Sequence, residues 1–266
     1  MPARHGIAVL PTLAGMEHVS QILPRVCDAI DRAAVTDKDS KTLWRTLLVL
    51  ASSRKNNAFC VAGREWSQAG LGAWVRPVSS HGHGELSYGE IRMDSSQVVR
   101  VGDVVMVPFG DAVPDGAQHE NQAVLPNQVW KHVGLAGWDM LSALVESPAT
   151  LWSNGWHAQN DRMPEMEAMR FDYSLCLIRL MRLQLSFFKH SNGKIKTRAT
   201  FVHRDEVYCL SVTDPVIEAM GPAHINQTLF LDDVLLCVSL GQAFNGYCYK
   251  LAATVITRDR LQRRLS

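Results

Sequence analysis

The chain has 266 residues, 47% of them hydrophobic and 20% charged. This is ordinary globular composition, which excludes wholesale disorder, and the length can bury a core without disulfide or metal staples. Lys and Arg number 27 against 26 Asp and Glu, so the formal net charge of +1 points to no class of partner and only the local distribution of charge can.

Residues 1–42 read as an appendage. Met16, Val19, Leu23, Val26, Ile30 and Ala33 recur at helical spacing, which predicts an amphipathic N-terminal helical extension. Pro24 removes a backbone donor within it and marks a kink or restart. Such a helix either packs on its own domain or docks a protein partner. The short apolar run at the start is followed by Pro11, Gly15 and His18, so it does not read as a signal peptide. No apolar run reaches the ~18 residues of a membrane span. Cysteines stand at 27, 60, 176, 209, 237 and 248, inside apolar runs and without a Cys-x-x-Cys pair. Reduced thiols packed in the core of a cytoplasmic protein are expected.

From Leu43 the pattern turns to strands: residues 43–52, 58–63, 73–79 and 103–109, separated by Gly- and Ser-containing loops. A long polar loop fills 110–128. Met140, Leu141, Leu144 and Val145 follow at helical spacing within 137–147. Residues 43–150 thus form a first module, and the polar stretch 151–172, with Pro164 and several acids, reads as a linker. The second module, 173–266, opens with a strand over 174–188, with Leu175, Leu177, Met181, Leu183 and Leu185 on one face. Ser191–Lys194 predicts a hairpin through its Asn-Gly pair, which tolerates the positive φ of a type I′ turn. Strands 194–201, 207–213, 229–241 and 247–257 complete the set, the last two joined at Asn245–Gly246, and a basic tail closes the chain. The fold class is mainly β with minor α: two tandem small barrels of the OB type plus the helical extension.

Charge is unevenly placed. Between Ser174 and Arg204 there is no Asp or Glu, while Arg179, Arg182, Lys189, Lys194, Lys196, Arg198 and Arg204 give a formal +7. On a strand over 194–201, Ile195, Thr197, Ala199 and Phe201 face one way and Lys194, Lys196 and Arg198 the other. That is a one-sided basic stripe with about 7 Å per step. It suits the phosphates of an extended single strand, with Phe187 or Phe188 across the hairpin as a stacking platform. The plain alternative is a solvated strand face with two core phenylalanines. Arg54, Lys55, Arg64 and Arg76 repeat the basic pattern more weakly in the first module.

Several phrases stand in order: LASSRKNNAFCVAGRE (50–65), AWVRPVS (73–79), GEL (84–86), VGDVV (101–105), QHEN (118–121), VYCLSVTDP (207–215) and VSLGQAFNGYCYKLAA (238–253). Together they resemble the bacterial dual OB-containing domain family over residues 46–257. The resemblance implies two OB-like barrels, binding of nucleic acid or nucleotides, and a place in bacterial defence or conflict systems. It carries no catalytic residues. Ser52–Ser53–Arg54–Lys55 stands where the family often has Asn-Ser-x-Lys. Within these phrases, Arg76 before Pro77 sits at a strand end, where it either grips a phosphate or base edge or pairs with Glu85. Gln118, Glu120 and Asn121 suit base-edge reading or loop bracing. Lys250 with Tyr247 and Tyr249 offers a cation and two rings beside a turn, and Asp214 before Pro215 reads as a cap.

No H-E-x-x-H, G-x-S-x-G or Walker lysine motif is present. The expectation is therefore non-catalytic binding of single-stranded DNA, RNA or a nucleotide, with no cofactor and no metal. The rivals are a nuclease or nucleotide hydrolase with a metal near His81, His83 and His119, and a protein-interaction scaffold.

Overall fold

A computed structural model describes residues 43–55, 58–67 and 70–265. The helix expected over 1–42 lies outside the described residues. In the first barrel the strands are β1 (Leu43–Lys55), β2 (Ala58–Ser67), β3 (Gly70–Val78), β4 (Asp103–Ala112), β5 (Asn121–Val124) and β6 (Lys131–Leu135). They lie in the order β1-β2-β3-β5-β4, with β4 closing back on β1 and β6 added outside β4. Of these pairings, β3–β5 is parallel and the rest are antiparallel.

The second barrel repeats this ring. Its strands are β7 (Arg162–Pro164), β8 (Leu175–Lys189), β9 (Ile195–His203), β10 (Glu206–Val212), β11 (Thr228–Phe244) and β12 (Tyr247–Ile256). The order is β8-β9-β10-β12-β11 and back to β8, again with one parallel pairing, β10–β12. Two closed five-stranded rings of the same order are tandem OB barrels.

The short helices are α1 (Trp138–Ser142), α2 (Glu165–Ala168), α3 (Pro215–Met220) and α4 (Arg258–Leu265). α3 begins as the sequence predicts: the Asp214 carboxylate accepts from Val216 N at 2.9 Å, with Pro215 in the first turn. No described helix is long and apolar enough to cross a membrane.

The two barrels pack as one body. A shared apolar cluster joins Leu48, Ala62 and Trp66 of the first to Leu177, Leu235 and Ile256 of the second. Hydrogen bonds from the β1 backbone reinforce it: Arg54 N donates to Thr213 O at 2.9 Å, and Ser52 N to the Thr254 hydroxyl at 2.9 Å.

The structure corrects several expectations. The stretch 151–172, read as a linker, is built into the second barrel. Leu151, Trp152, Met163 and Ala168 are buried in its core, and β7 pairs with β12. In β8, Met181 is 77% exposed rather than on the inner face. Inward parity changes between Leu180 and Leu183, opposite Asp233, which takes a positive φ of 48°. At Ser191–Lys194 only Gly193 is left-handed (φ 80°), and His190 N bonds Lys194 O, so the loop is not type I′. The other turn has both Asn245 (φ 52°) and Gly246 (φ 77°) left-handed, as type I′ requires.

The basic tail forms α4. Its Leu261 is buried in the shared cluster, and Arg264 donates to Val101 O and Asp103 Oδ1, both at 2.7 Å. Asp103 is fully buried. Arg264→Ala is expected to cost about 2–3 kcal/mol in urea unfolding, because the carboxylate loses its charged donor. A loss below ~0.5 kcal/mol, the value for a solvated end, would contradict this clamp.

Candidate functional site

The outer face of β11, β8, β9 and β10 is a four-strand surface with a fixed register. Phe230, Gln184, Thr200 and Cys209 form one row, and Thr228, Ser186, Arg198 and Ser211 the next. Phe188 pairs with Lys196 beyond them. Side chains alternate across the sheet. Leu183, Leu185, Phe187, Thr197, Ala199 and Phe201 point into the barrel, while Arg182, Phe188, Lys194 and Lys196 are exposed.

Within the stripe, Lys194 and Lys196 are open to solvent, but Arg198 is not a free cation. Its guanidinium donates to Asp161 at 2.9 Å, to Ser211 at 2.8 Å and to Gln159. Phe187 is 1% exposed and packs against the His224 ring, so it is a core residue and offers no platform. Phe188 is 37% exposed, so its ring is reachable from solvent.

At the foot of this face runs a groove of about 580 Å³. Strands β8, β9 and β10 form its floor, with Phe230 from β11, and residues 145–147 between the barrels form a wall. Met181, Val202, Val207 and Phe230 are 77%, 62%, 53% and 51% exposed. Arg182 lays its guanidinium over the Phe230 ring at 4.3 Å. Arg179 pairs with Asp233 at 2.6 Å. That bond and the neighbouring Arg258 hold the Asp233 carboxyl below its usual range. Arg204 donates to Ser147 Oγ, and the His203 ring meets Pro148 O at 2.8 Å. Sequence reasoning missed Phe230 and Met181. Leu229–Phe230–Leu231 is a continuous apolar run in sequence, so no change of polarity marked the ring that the strand turns outward.

Arg76, Gln118, Glu120 and Asn121 are brought together, but between the barrels. Arg76 pairs with Glu120 at 2.8 Å, not with Glu85, and donates to Ser174 Oγ at 2.8 Å and Ser239 Oγ at 3.3 Å. Gln118 donates to Leu240 O at 3.0 Å, and Asn121 donates to Gln118. Arg76, Gln118 and Asn121 are buried. A parallel knot lies nearby. Glu146 accepts from Trp74 Nε1, Arg64 and Leu177 N, which covers the outer side of β2 and β3.

Lys250 is also interior, at 1% exposure. Its ammonium donates to Ser153 O and Asn154 Oδ1, both at 3.0 Å, and lies over the Tyr208 ring. Burial pulls its pKa down to about 8. Between pH 8 and the ordinary lysine value near 10.5, the folded chain holds fewer protons than the unfolded one. Stability therefore rises with pH across that window, by about 3 kcal/mol from this group. Lys250→Met should remove that rise from the variant's pH–stability curve, so the wild-type and variant curves diverge across the window. Parallel curves would refute the assignment.

Tyr247 and Tyr249 are half-buried, with the Arg162 guanidinium over both rings at 4.9 and 5.9 Å. Arg54 is exposed. Arg54 and Lys196, from different barrels, both act on Glu218, whose pKa is raised by burial against their pull. The Lys55 side chain lies outside the described residues. His81, His83 and His119 are exposed, and among the described residues no three His, Cys, Asp or Glu side chains converge as metal ligands.

The family described as "Dual OB-containing domain" matches residues 45–255. No curated protein matches the chain. Among solved structures, one titled "Crystal structure of the tetrameric p202 HIN2" is similar at 8% identity and a TM-score of 0.29. That match covers 82% of this chain and 96% of the other, a likeness too distant to assign anything here.

Proposed function

The chain belongs to the dual OB-containing domain family, and from that premise we propose that it binds single-stranded nucleic acid without catalysis, on the outer face of its second barrel. OB barrels bind oligonucleotides on the face of their second and third strands and the adjoining loops. In the first barrel those strands are β2 and β3, and Glu146 with its Arg64 and Trp74 partners covers them. In the second barrel they are β9 and β10; residues 159–161 cover their Arg198–Ser211 row, and Lys196, Val202 and Val207 remain exposed.

One observation carries the reading. The open face presents Lys194, Lys196 and Arg182 together with the exposed rings of Phe188 and Phe230, and the chain from 174 to 204 contains no acid. Cations suit the phosphates and rings suit stacked bases. Arg54, placed near Glu218 with Lys196, extends the cationic surface toward the first barrel. A recognition role within a bacterial defence system is the setting we assign to this activity. The buried Cys176 and Cys237, whose thiols burial pushes up, fit a reducing cytoplasm. The test is fluorescence anisotropy with a short labelled oligonucleotide across a salt series. Affinity should fall steeply as salt rises, and a salt-independent affinity would contradict a phosphate track.

A further inference from the structure

We infer that the groove beside Phe230 seats one unpaired nucleobase of the bound strand, which makes the protein a reader of single strands rather than duplexes. This rests on the proposed binding face and adds a base subsite to it. The groove offers what a flat base needs. Its surfaces include the exposed side chains of Met181, Val207 and Phe230. Arg182, whose guanidinium lies over the Phe230 ring at 4.3 Å, supplies a second flat group on which a base can stack. Gln184 and Thr200, neighbours in the register, place an amide and a hydroxyl at the same floor. A base edge can meet both, since the amide has donors and an acceptor.

The electrostatics agree. Arg182 and Arg204 line the groove as cations beside Glu146, while Arg179 is already paired with Asp233 at 2.6 Å and Asp232 stands opposite Arg182. The Glu146 carboxylate is turned toward Trp74, Arg64 and Leu177 N, so it does not oppose a phosphate. The volume of about 580 Å³ falls in the range of small-ligand sites. Base pairs in a duplex keep their faces stacked, so only an unpaired base can enter.

The experiment uses the full chain and a labelled ten-nucleotide single strand of mixed sequence. Phe230→Ala removes a half-exposed ring, so folding is retained. It should weaken binding roughly tenfold or more, the range for losing one base–aromatic stack, with the salt slope unchanged because every phosphate keeps its cation. Arg182→Lys keeps the charge and loses the plane, and should weaken binding in the same way. A duplex of the same sequence should show no Phe230 dependence. Unchanged single-strand affinity in Phe230→Ala would overturn the subsite while leaving the basic face standing. If the wild-type chain binds no oligonucleotide, the strand-binding reading fails, and adenosine and cytidine monophosphate titrations followed by the Met181 methyl NMR signal decide the groove. A shift that Phe230→Ala abolishes supports a base seat. No shift overturns it.

Discussion

Replacing Arg76 with Met is expected to destabilise the folded chain by about 3–5 kcal/mol. The substitution nearly preserves volume but leaves Glu120 buried with Ser174 as its remaining side-chain donor. The side chains of the pair are 10% and 7% exposed, so water cannot compensate. The missing guanidinium also releases Ser174 and Ser239, which come from the second barrel. Arg76→Met with Glu120→Met should cost much less than the sum of the two single changes, because no charge is stranded. For a chain of this size, 3–5 kcal/mol lowers Tm by about 10 °C. A single variant within ~1 kcal/mol of wild type would mean that the pair is solvated and does not join the barrels. Oligonucleotide affinity measured well below the transition should be unchanged in Arg76→Met. A binding loss without a stability loss would return Arg76 to the binding surface.

Arg76 also shows where sequence reading stops. Local signals carry the strands: alternation places Thr197, Ala199 and Phe201 inside and Lys196 outside, and Asn245–Gly246 specifies its own turn. Pairing between distant residues has no such local signature. Glu120 lies 44 residues from Arg76, and Asp161 37 from Arg198, so both arginines look like free cations in sequence. Arg264 meets Asp103 across 161 residues, which turns a tail with the composition of a solvated end into a clamp. Lys250 shares the inward parity of Cys248 and Ala252, but the carbonyl of Ser153 that receives its ammonium lies 97 residues away. The groove is invisible for the same reason. Its ring, its stacked arginine and its wall come from β11, β8 and the segment between the barrels.

Neutralising Lys194, Lys196 and Arg182 together with Gln is expected to flatten the salt dependence of single-strand binding by about 2, at ~0.7 for each phosphate left without its cation. With curves that converge near 1 M salt, that slope change is roughly a hundredfold loss of affinity at 0.1 M. The three side chains are exposed, so unfolding free energy should stay within about 1 kcal/mol of wild type. Arg198 is the internal control. It belongs to the same strand face, and sequence spacing alone assigns it the same role, but Asp161 already neutralises it at 2.9 Å. Arg198→Gln should therefore leave the slope unchanged and lower stability, since Asp161 and Ser211 lose their donor. The two variants separate a binding cation from a structural one on a single strand face. If the triple variant keeps both affinity and slope, the open face of the second barrel is not the nucleic-acid track. If Arg198→Gln flattens the slope by ~0.7 as well, the Asp161 pair opens on binding, and the stripe of Lys194, Lys196 and Arg198 is the track that meets the phosphates.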